Sequence, residues 1–385
     1  MHVTNLANEL SKKGYPSTIL VTRKIAEDVF FETKKNVNIV LLNKYISEHS
    51  NDLIVKKHIK RRKFKIRIFK YFRYISKFFP ELDKKLNYEI KMLRKSEALS
   101  AFMINNPDCI YVPFGLGYFE TAYFAICAKS NIVYSERTTP VVEFPKTEFE
   151  KKQIIKTFKK ADHIILQTKN SFDFYKSLGI DATVINNPIK ANLPDAYNGE
   201  RRKCIVNFCR ISEEKNLPLL FDAFMEFHKN HTDYKLEIYG NAVNEDEENL
   251  REFYKNKISE INATEYISIY PARSDIHNAV RDCAMFVSSS DFEGLSNSMI
   301  EAMAIGLPCI CTDCIGGGAR EVIKNEENGL LVPIKDSKAL SKAMCQMADN
   351  KELAKRCSEN AQKIRIDLSV NKISDKWIKV IEQIQ

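Results

Sequence analysis

No stretch of the chain approaches the roughly 18 uninterrupted apolar residues that a membrane-crossing helix needs. The opening MHVTNLANELSKKG contains no secretory hydrophobic core, so a cytoplasmic protein is expected. Glycine and proline number only 12 each in 385 residues, which excludes a collagenous or low-complexity chain. No Asp-x-Asp triplet occurs, so no carboxylate pair of that spacing is available to hold a divalent ion beside a diphosphate. The 10 cysteines lack the spacing of a disulfide scaffold and are expected to stay reduced. Their one cluster, Cys309, Cys311 and Cys314, lies in the apolar run LPCICTDC. It reads as buried thiols, since a metal site would need a fourth ligand and a loop.

What is present is ordinary globular composition, 44% apolar and 28% charged, at a length that suits two domains. Val3, Leu6, Ala7 and Leu10 mark an amphipathic helix at the very start. Strands at 18–22, 37–42, 109–112, 131–134, 163–166 and 183–185 alternate with helices at 90–102, 118–129 and 148–160. Asn186-Asn187-Pro188 and the polar stretch 192–202 read as a linker. A second series follows, with strands at 204–208, 234–239, 267–269, 285–287, 309–311 and 329–332. Its helices fall at 216–230, 245–261, 276–281, 297–305 and 319–324. The pattern predicts an α/β protein of two Rossmann-like, doubly wound domains facing across a cleft. Their expected limits are 1–192 and 193–366, with 367–385 a C-terminal helix returning to the first domain.

Acidic residues are missing from one long segment, 53–80, which holds eleven Lys and Arg, among them Lys60, Arg61, Arg62 and Lys63. The chain carries a net charge of +9, and outside this segment it is close to neutral. Ile68, Phe72, Ile75 and Phe79 recur at helical spacing among the cations, which suits a helix lying in the headgroup layer of an anionic membrane. A solvated basic face and a single-stranded nucleic acid site are the competing readings. The membrane reading is preferred, and no nucleic acid partner is expected.

Three strand-to-helix junctions carry the chemistry. Ser288-Ser-Ser-Asp-Phe-Glu-Gly-Leu-Ser-Asn-Ser298 leads into a helix, where free N–H groups and the helix dipole favour phosphate. Gly294, Leu295, Ser296, Asn297 and Ser298 are its candidate phosphate contacts, flanked by Glu293 and Glu301. Ser298-x-x-Glu301 also fits a capping box. The second junction holds Arg210 and Lys215, two cations able to neutralise a diphosphate. A solvated loop is the alternative there. The third is Gly316-Gly-Gly-Ala-Arg-Glu321.

Arg210…Lys215-Asn216, Glu293-Gly…Glu301-Ala-Met303, Gly306-Leu-Pro308, Gly317-Gly318…Glu321 and Asn328-Gly329 together resemble glycosyltransferase family 4. Bacterial polysaccharide and lipid-linked glycan assembly members are the nearest in pattern. The resemblance implies the GT-B fold and a retaining hexosyl transfer from a nucleotide sugar, with a UDP-sugar favoured, to a lipid-linked or glycan acceptor. It implies that Arg210 and Lys215 hold the diphosphate, that Glu293 lies at the donor sugar and that Glu301 lies at the ribose. With two cations and a helix N-terminus facing the leaving phosphate, no obligatory metal and no cofactor are expected. Ser135-Glu136-Arg137-Thr138-Thr139-Pro140 replaces the segment in which many members carry a His. It implies that Glu136 and Arg137 face the acceptor side of the cleft. The family has a strand and a Gly-Gly loop before its first helix, so roughly 10–20 residues are expected to precede Met1. Membrane attachment would be peripheral, on the inner face of the cytoplasmic membrane, in lipopolysaccharide or capsule synthesis. A GT-B-fold sugar-nucleotide epimerase and a truncated non-catalytic homologue are the alternatives.

Overall fold

A computed structural model of the chain describes residues 2–21, 36–49, 51–114, 131–242 and 244–384. The sequence-predicted helix at 118–129 and residue 22 of the first strand lie outside them. The second half contains a six-stranded, fully parallel sheet: β6 (Arg202–Phe208), β7 (Lys235–Tyr239), β8 (Ile267–Tyr270), β9 (Cys283–Ser288), β10 (Cys309–Thr312) and β11 (Leu330–Val332). Their spatial order is β11-β10-β9-β6-β7-β8. Strand order therefore reverses between β6 and β9, and in such a sheet the crevice at that reversal is where ligands bind. The apolar residues that predicted these strands are buried on both faces: Ile205 and Val206 of β6, and Phe286 and Val287 of β9, are 0% exposed.

Helices α8 (Leu217–His228), α9 (Glu245–Glu260), α10 (Ile276–Val280), α11 (Asn297–Ala304), α12 (Gly318–Val322), α13 (Ser337–Asp349) and α14 (Lys351–Ala361) complete this half. Cys309 and Cys311 lie buried in β10, and burial pushes both thiols upward. Among the described residues, three metal-ligand side chains converge elsewhere, at Cys204, Glu237 and Cys283. That place is filled by Arg202, whose guanidinium grips both Glu237 oxygens at 2.8 and 3.1 Å and reaches Cys283 Sγ at 2.9 Å.

The first half holds α1 (His2–Lys12) and the parallel pair β1 (Ser17–Val21) and β2 (Val37–Leu41). It also holds the parallel sheet β3 (Val133–Ser135), β4 (His163–Leu166) and β5 (Thr183–Val184). The strand expected at 109–112 is reduced to single bridges, Tyr111 to Ile132 and Phe114 to Ser135. Helices α2 (Leu42–Glu48), α3 (Leu53–Ser76), α4 (Pro80–Lys95), α5 (Glu97–Asn105), α6 (Glu148–Phe158) and α7 (Lys169–Ser177) surround these strands. The helix expected at 90–102 is broken at Ser96, whose hydroxyl donates to Met92 O at 2.6 Å and lets the chain turn from α4 into α5. The last helix, α15 (Val370–Glu382), packs on α1. Lys13 Nζ meets Asp375 there at 2.5 Å, Tyr15 OH donates to Glu382 at 2.6 Å, and Trp377 stacks on Phe114 at 6.0 Å.

Leu53–Ser76 of the acid-free segment form one uninterrupted 24-residue helix, α3, about 36 Å long. Asp52 caps it, accepting from the N–H of Ile54 at 2.8 Å. Its inward stripe is Val55, Ile59, Arg62, Ile66 and Phe69, at helical spacing. Ile68, Phe72 and Phe79 are exposed. One reading of the sequence is corrected. Arg62, counted among the surface cations, is 7% exposed and donates to Leu93 O at 2.8 Å, Ser96 Oγ at 2.5 Å and Ser100 Oγ at 3.0 Å. A guanidinium can replace its water with such a set of acceptors, which is why one arginine of the segment can turn inward.

Candidate functional site

The loops at the carboxyl ends of β6 and β9 are stitched together at the strand-order reversal. Asp291 N–H donates to Glu214 O at 2.9 Å and Ser289 Oγ to Lys215 O at 2.8 Å. Asn216 Nδ2 donates to Asp291 at 3.0 Å. Asn216 itself takes a left-handed conformation (φ 44°) and accepts from Leu219 N–H, starting α8. This arrangement presents Lys215 inward, and its Nζ makes a direct ion pair with Glu293. Both side chains are mostly buried, 15% and 16% exposed, and burial pulls the Lys215 ammonium below its usual range. Arg210 stays half-exposed and holds Glu214 at 2.7 Å and Glu247 at 3.5 Å.

Glu293 and Gly294 are gripped from below by the Gly316-Gly317-Gly318 turn. Glu293 N–H donates to Ile315 O at 2.9 Å. Gly316 adopts φ 105°, and a Cβ there would run into the Glu293 carbonyl, while one at Gly318 would run into the Gly294 carbonyl. Gly318→Ala is therefore expected to push the Glu293 loop out of place. A stability loss of about 1–3 kcal/mol is expected by thermal denaturation, with weaker nucleotide binding alongside. The first domain closes on the same loop. Gln167 Oε1 lies 2.8 Å from where a Gly294 Cβ would be, and Lys169 N–H donates to Glu321.

Ser296 is the N-cap of α11, yet its side chain makes no capping bond and instead shares a 3.1 Å contact with Ser298 Oγ. Ser296, Asn297 and Ser298 thus stand at the helix's first turn, beside the small pocket lined by Ser288, Glu293, Gly294 and Thr312. The capping-box reading of Ser298 and Glu301 fails, because α11 starts two residues earlier than that motif requires. Glu301 is buried, 7% exposed, and its Oε2 bonds His277 Nε2 at 2.8 Å while Oε1 has no partner among the described residues.

Glu136 and Arg137 do not present free groups to the cleft. Glu136 lies in the first-domain core, 5% exposed, accepting from Thr138 N–H at 2.7 Å and Tyr175 OH at 3.3 Å, and burial raises its carboxyl. Arg137 lies 4.6 Å from the Phe114 ring centroid and donates to Ser135 Oγ at 2.8 Å and Ile185 O at 3.1 Å. Burial pulls its guanidinium down to about 9. The pair secures β3 to the segment 183–185 and to α15, and Glu136 is held inside the first domain rather than open to the cleft. The side chains that sequence reasoning missed are His277 and Gln167. Neither lies in a motif, and their only signal is proximity in space.

The two-domain architecture is that of the GT-B glycosyltransferases. Sucrose-phosphate synthase from Thermosynechococcus elongatus superposes with a TM-score of 0.76 over 99% of this chain and 92% of its own, at 14% identity. Anabaena HepE in complex with UDP superposes with a TM-score of 0.61 over 69% of this chain and 76% of its own, at 18% identity. Residues 191–364 match the family described as Glycosyl transferases group 1. In sequence the chain is similar to a Campylobacter jejuni enzyme, N-acetylgalactosamine-N,N'-diacetylbacillosaminyl-diphospho-undecaprenol 4-alpha-N-acetylgalactosaminyltransferase. They are 29% identical over 61% of this chain and 65% of that one. It is also similar to the UDP-Gal:alpha-D-GlcNAc-diphosphoundecaprenol alpha-1,3-galactosyltransferase of Escherichia coli, 28% identical over 35% and 36% of the two lengths. The match thus spans less than two thirds of each relative. No helix among the described residues is long and apolar enough to cross a membrane.

Proposed function

We propose that the protein is a retaining glycosyltransferase that moves a hexose-type sugar from a nucleoside diphosphate sugar to a lipid-linked or glycan acceptor in bacterial cell-surface polysaccharide synthesis. A UDP-sugar is the first candidate donor, in keeping with the UDP bound by HepE. The acceptor class follows the diphospho-undecaprenol named for both sequence relatives. The observation that carries the reading is the Lys215–Glu293 pair, mostly buried above a glycine turn and beside an uncapped helix N-terminus.

Breaking the bond between the anomeric carbon and the diphosphate leaves positive charge on the sugar and negative charge on the departing phosphate. Arg210, Lys215 and the first-turn N–H groups of α11 offset the second, and the Glu293 carboxylate lies where the first develops. With that field, no obligatory metal is required. Main-chain groups of Gly294 to Ser298 meet the phosphates, and Glu301 Oε1 accepts from the ribose hydroxyls.

Nucleotide release, measured with and without a lipid-linked sugar acceptor, tests the reading. Acceptor-dependent release supports it, and interconversion of sugar nucleotides without acceptor would favour the epimerase. The two carboxylates separate in the same assay. Glu293→Gln is expected to lower turnover with donor binding kept. Glu301→Gln is expected to weaken nucleotide binding about 10-fold, the loss of one hydrogen bond to a charged group, with turnover at saturating donor largely kept.

We further propose that α3 and the turn that follows it attach the protein peripherally to the inner face of the cytoplasmic membrane. Phe64, Tyr71, Phe72, Phe78 and Phe79 are more than half exposed. Exposed Lys60, Arg61, Lys63, Lys65, Arg67 and Lys70 surround them. Aromatic rings and cations together suit the headgroup region of an anionic bilayer.

A further inference from the structure

His277 sits in α10, a five-residue helix after β8, and is 5% exposed. The edge of its ring meets Phe208 at 5.8 Å and 82°, which fixes the plane of the imidazole. Its Nε2 lies 2.8 Å from Glu301 Oε2, 24 residues away in sequence. The other Glu301 oxygen is buried with no hydrogen-bond partner among the described residues. A buried polar atom left unpaired is costly, so a lone acceptor of this kind marks a place for an incoming donor.

We propose that His277 is a positioning residue of the donor site. By donating to Oε2 it fixes the carboxylate's rotation and leaves Oε1 presented to a vicinal diol. The assignment rests on the reading of Glu301 as the ribose contact. Without the imidazole, the carboxylate loses its fixed orientation, and each hydroxyl bond then carries an ordering cost. The donor is the only feature required of the side chain. Glutamine, whose amide nitrogen can reach the place of Nε2, should substitute, and phenylalanine, which fills the volume without donating, should not.

The experiment is calorimetric titration of the full chain with UDP, 2',3'-dideoxy-UDP and inorganic pyrophosphate. The wild type is expected to prefer UDP over the dideoxy form by about 10-fold or more. His277→Ala and His277→Phe should lose most of that preference while binding pyrophosphate unchanged. His277→Gln should recover it, and adding His277→Ala to Glu301→Ala should change nothing further. If the alanine variant does not fold, the phenylalanine and glutamine variants decide the matter. A variant that keeps the diol preference overturns the proposal. So does equal weakening toward UDP and pyrophosphate, which is the mark of a merely structural role. A wild type that binds UDP and its dideoxy form alike overturns the Glu301 assignment beneath it. A wild type that binds no UDP overturns the UDP-donor reading as well.

Discussion

Arg210→Ala and Lys215→Ala are each expected to lower the transfer rate at saturating donor by roughly 10²–10³-fold, the loss that follows removal of one preorganised charge facing a developing anion. The two should differ in their effect on stability by degree. Arg210 is half-exposed, and its partners among the described residues, Glu214 and Glu247, are 20% and 11% exposed, so its removal costs some stability but less than loss of a cation that is itself buried. Lys215 is mostly buried and paired with Glu293. Its removal strands a carboxylate away from solvent, at a cost of about 1–3 kcal/mol. Turnover and melting temperature measured side by side separate the two. A Lys215→Ala protein with near wild-type turnover would remove it from the diphosphate. Loss of stability with turnover intact would leave the Lys215–Glu293 pair a structural element only.

Replacing Lys60, Arg61, Lys63 and Arg67 together by Ser is expected to release the protein from anionic vesicles. Each cation near such a surface contributes about 1 kcal/mol, so four amount to about 4 kcal/mol, or roughly 10³-fold in partitioning. All four side chains are exposed, so the folded protein should be unaffected. High salt should weaken the wild type in the same direction. Arg62 is the internal contrast. Arg62→Ser removes the donor to Leu93 O, Ser96 Oγ and Ser100 Oγ, and should destabilise the α3–α4–α5 packing without being needed for vesicle binding. Vesicle sedimentation of both variants, with a denaturation curve for each, checks the pair. Salt-insensitive binding, or none by the wild type, would remove the membrane role.

Much of this protein is settled locally, and the sequence by itself determined that part. The apolar stretches 204–208 and 285–287 became β6 and β9 because a strand buried on both faces must be apolar throughout. The order of strands and helices then required a doubly wound sheet. Glu293, Gly294 and the start of α11 were legible because a loop between a strand and a helix exposes backbone N–H groups whatever surrounds it. Arg210 and Lys215 were legible as charges on the neighbouring junction, but their separate fates were not.

Tertiary structure decided everything that depends on a partner far away in the chain. Arg62 lies among cations indistinguishable from it in sequence, and only the hydroxyls and carbonyl offered by 93–100 turn it inward. Glu136 and Arg137 read as cleft residues until Tyr175, Phe114 and Ile185 claim them. Ser298 fits a capping pattern that Ser296 pre-empts by one choice of helix start. His277 carries no local signal at all, and its place beside Glu301 exists only because the fold brings α10, resting on Phe208 of β6, against α11. The physical reason is common to all four. Backbone periodicity is set by neighbours three or four residues away, whereas a buried polar group is satisfied by whichever acceptor or donor the folded chain brings within about 3 Å.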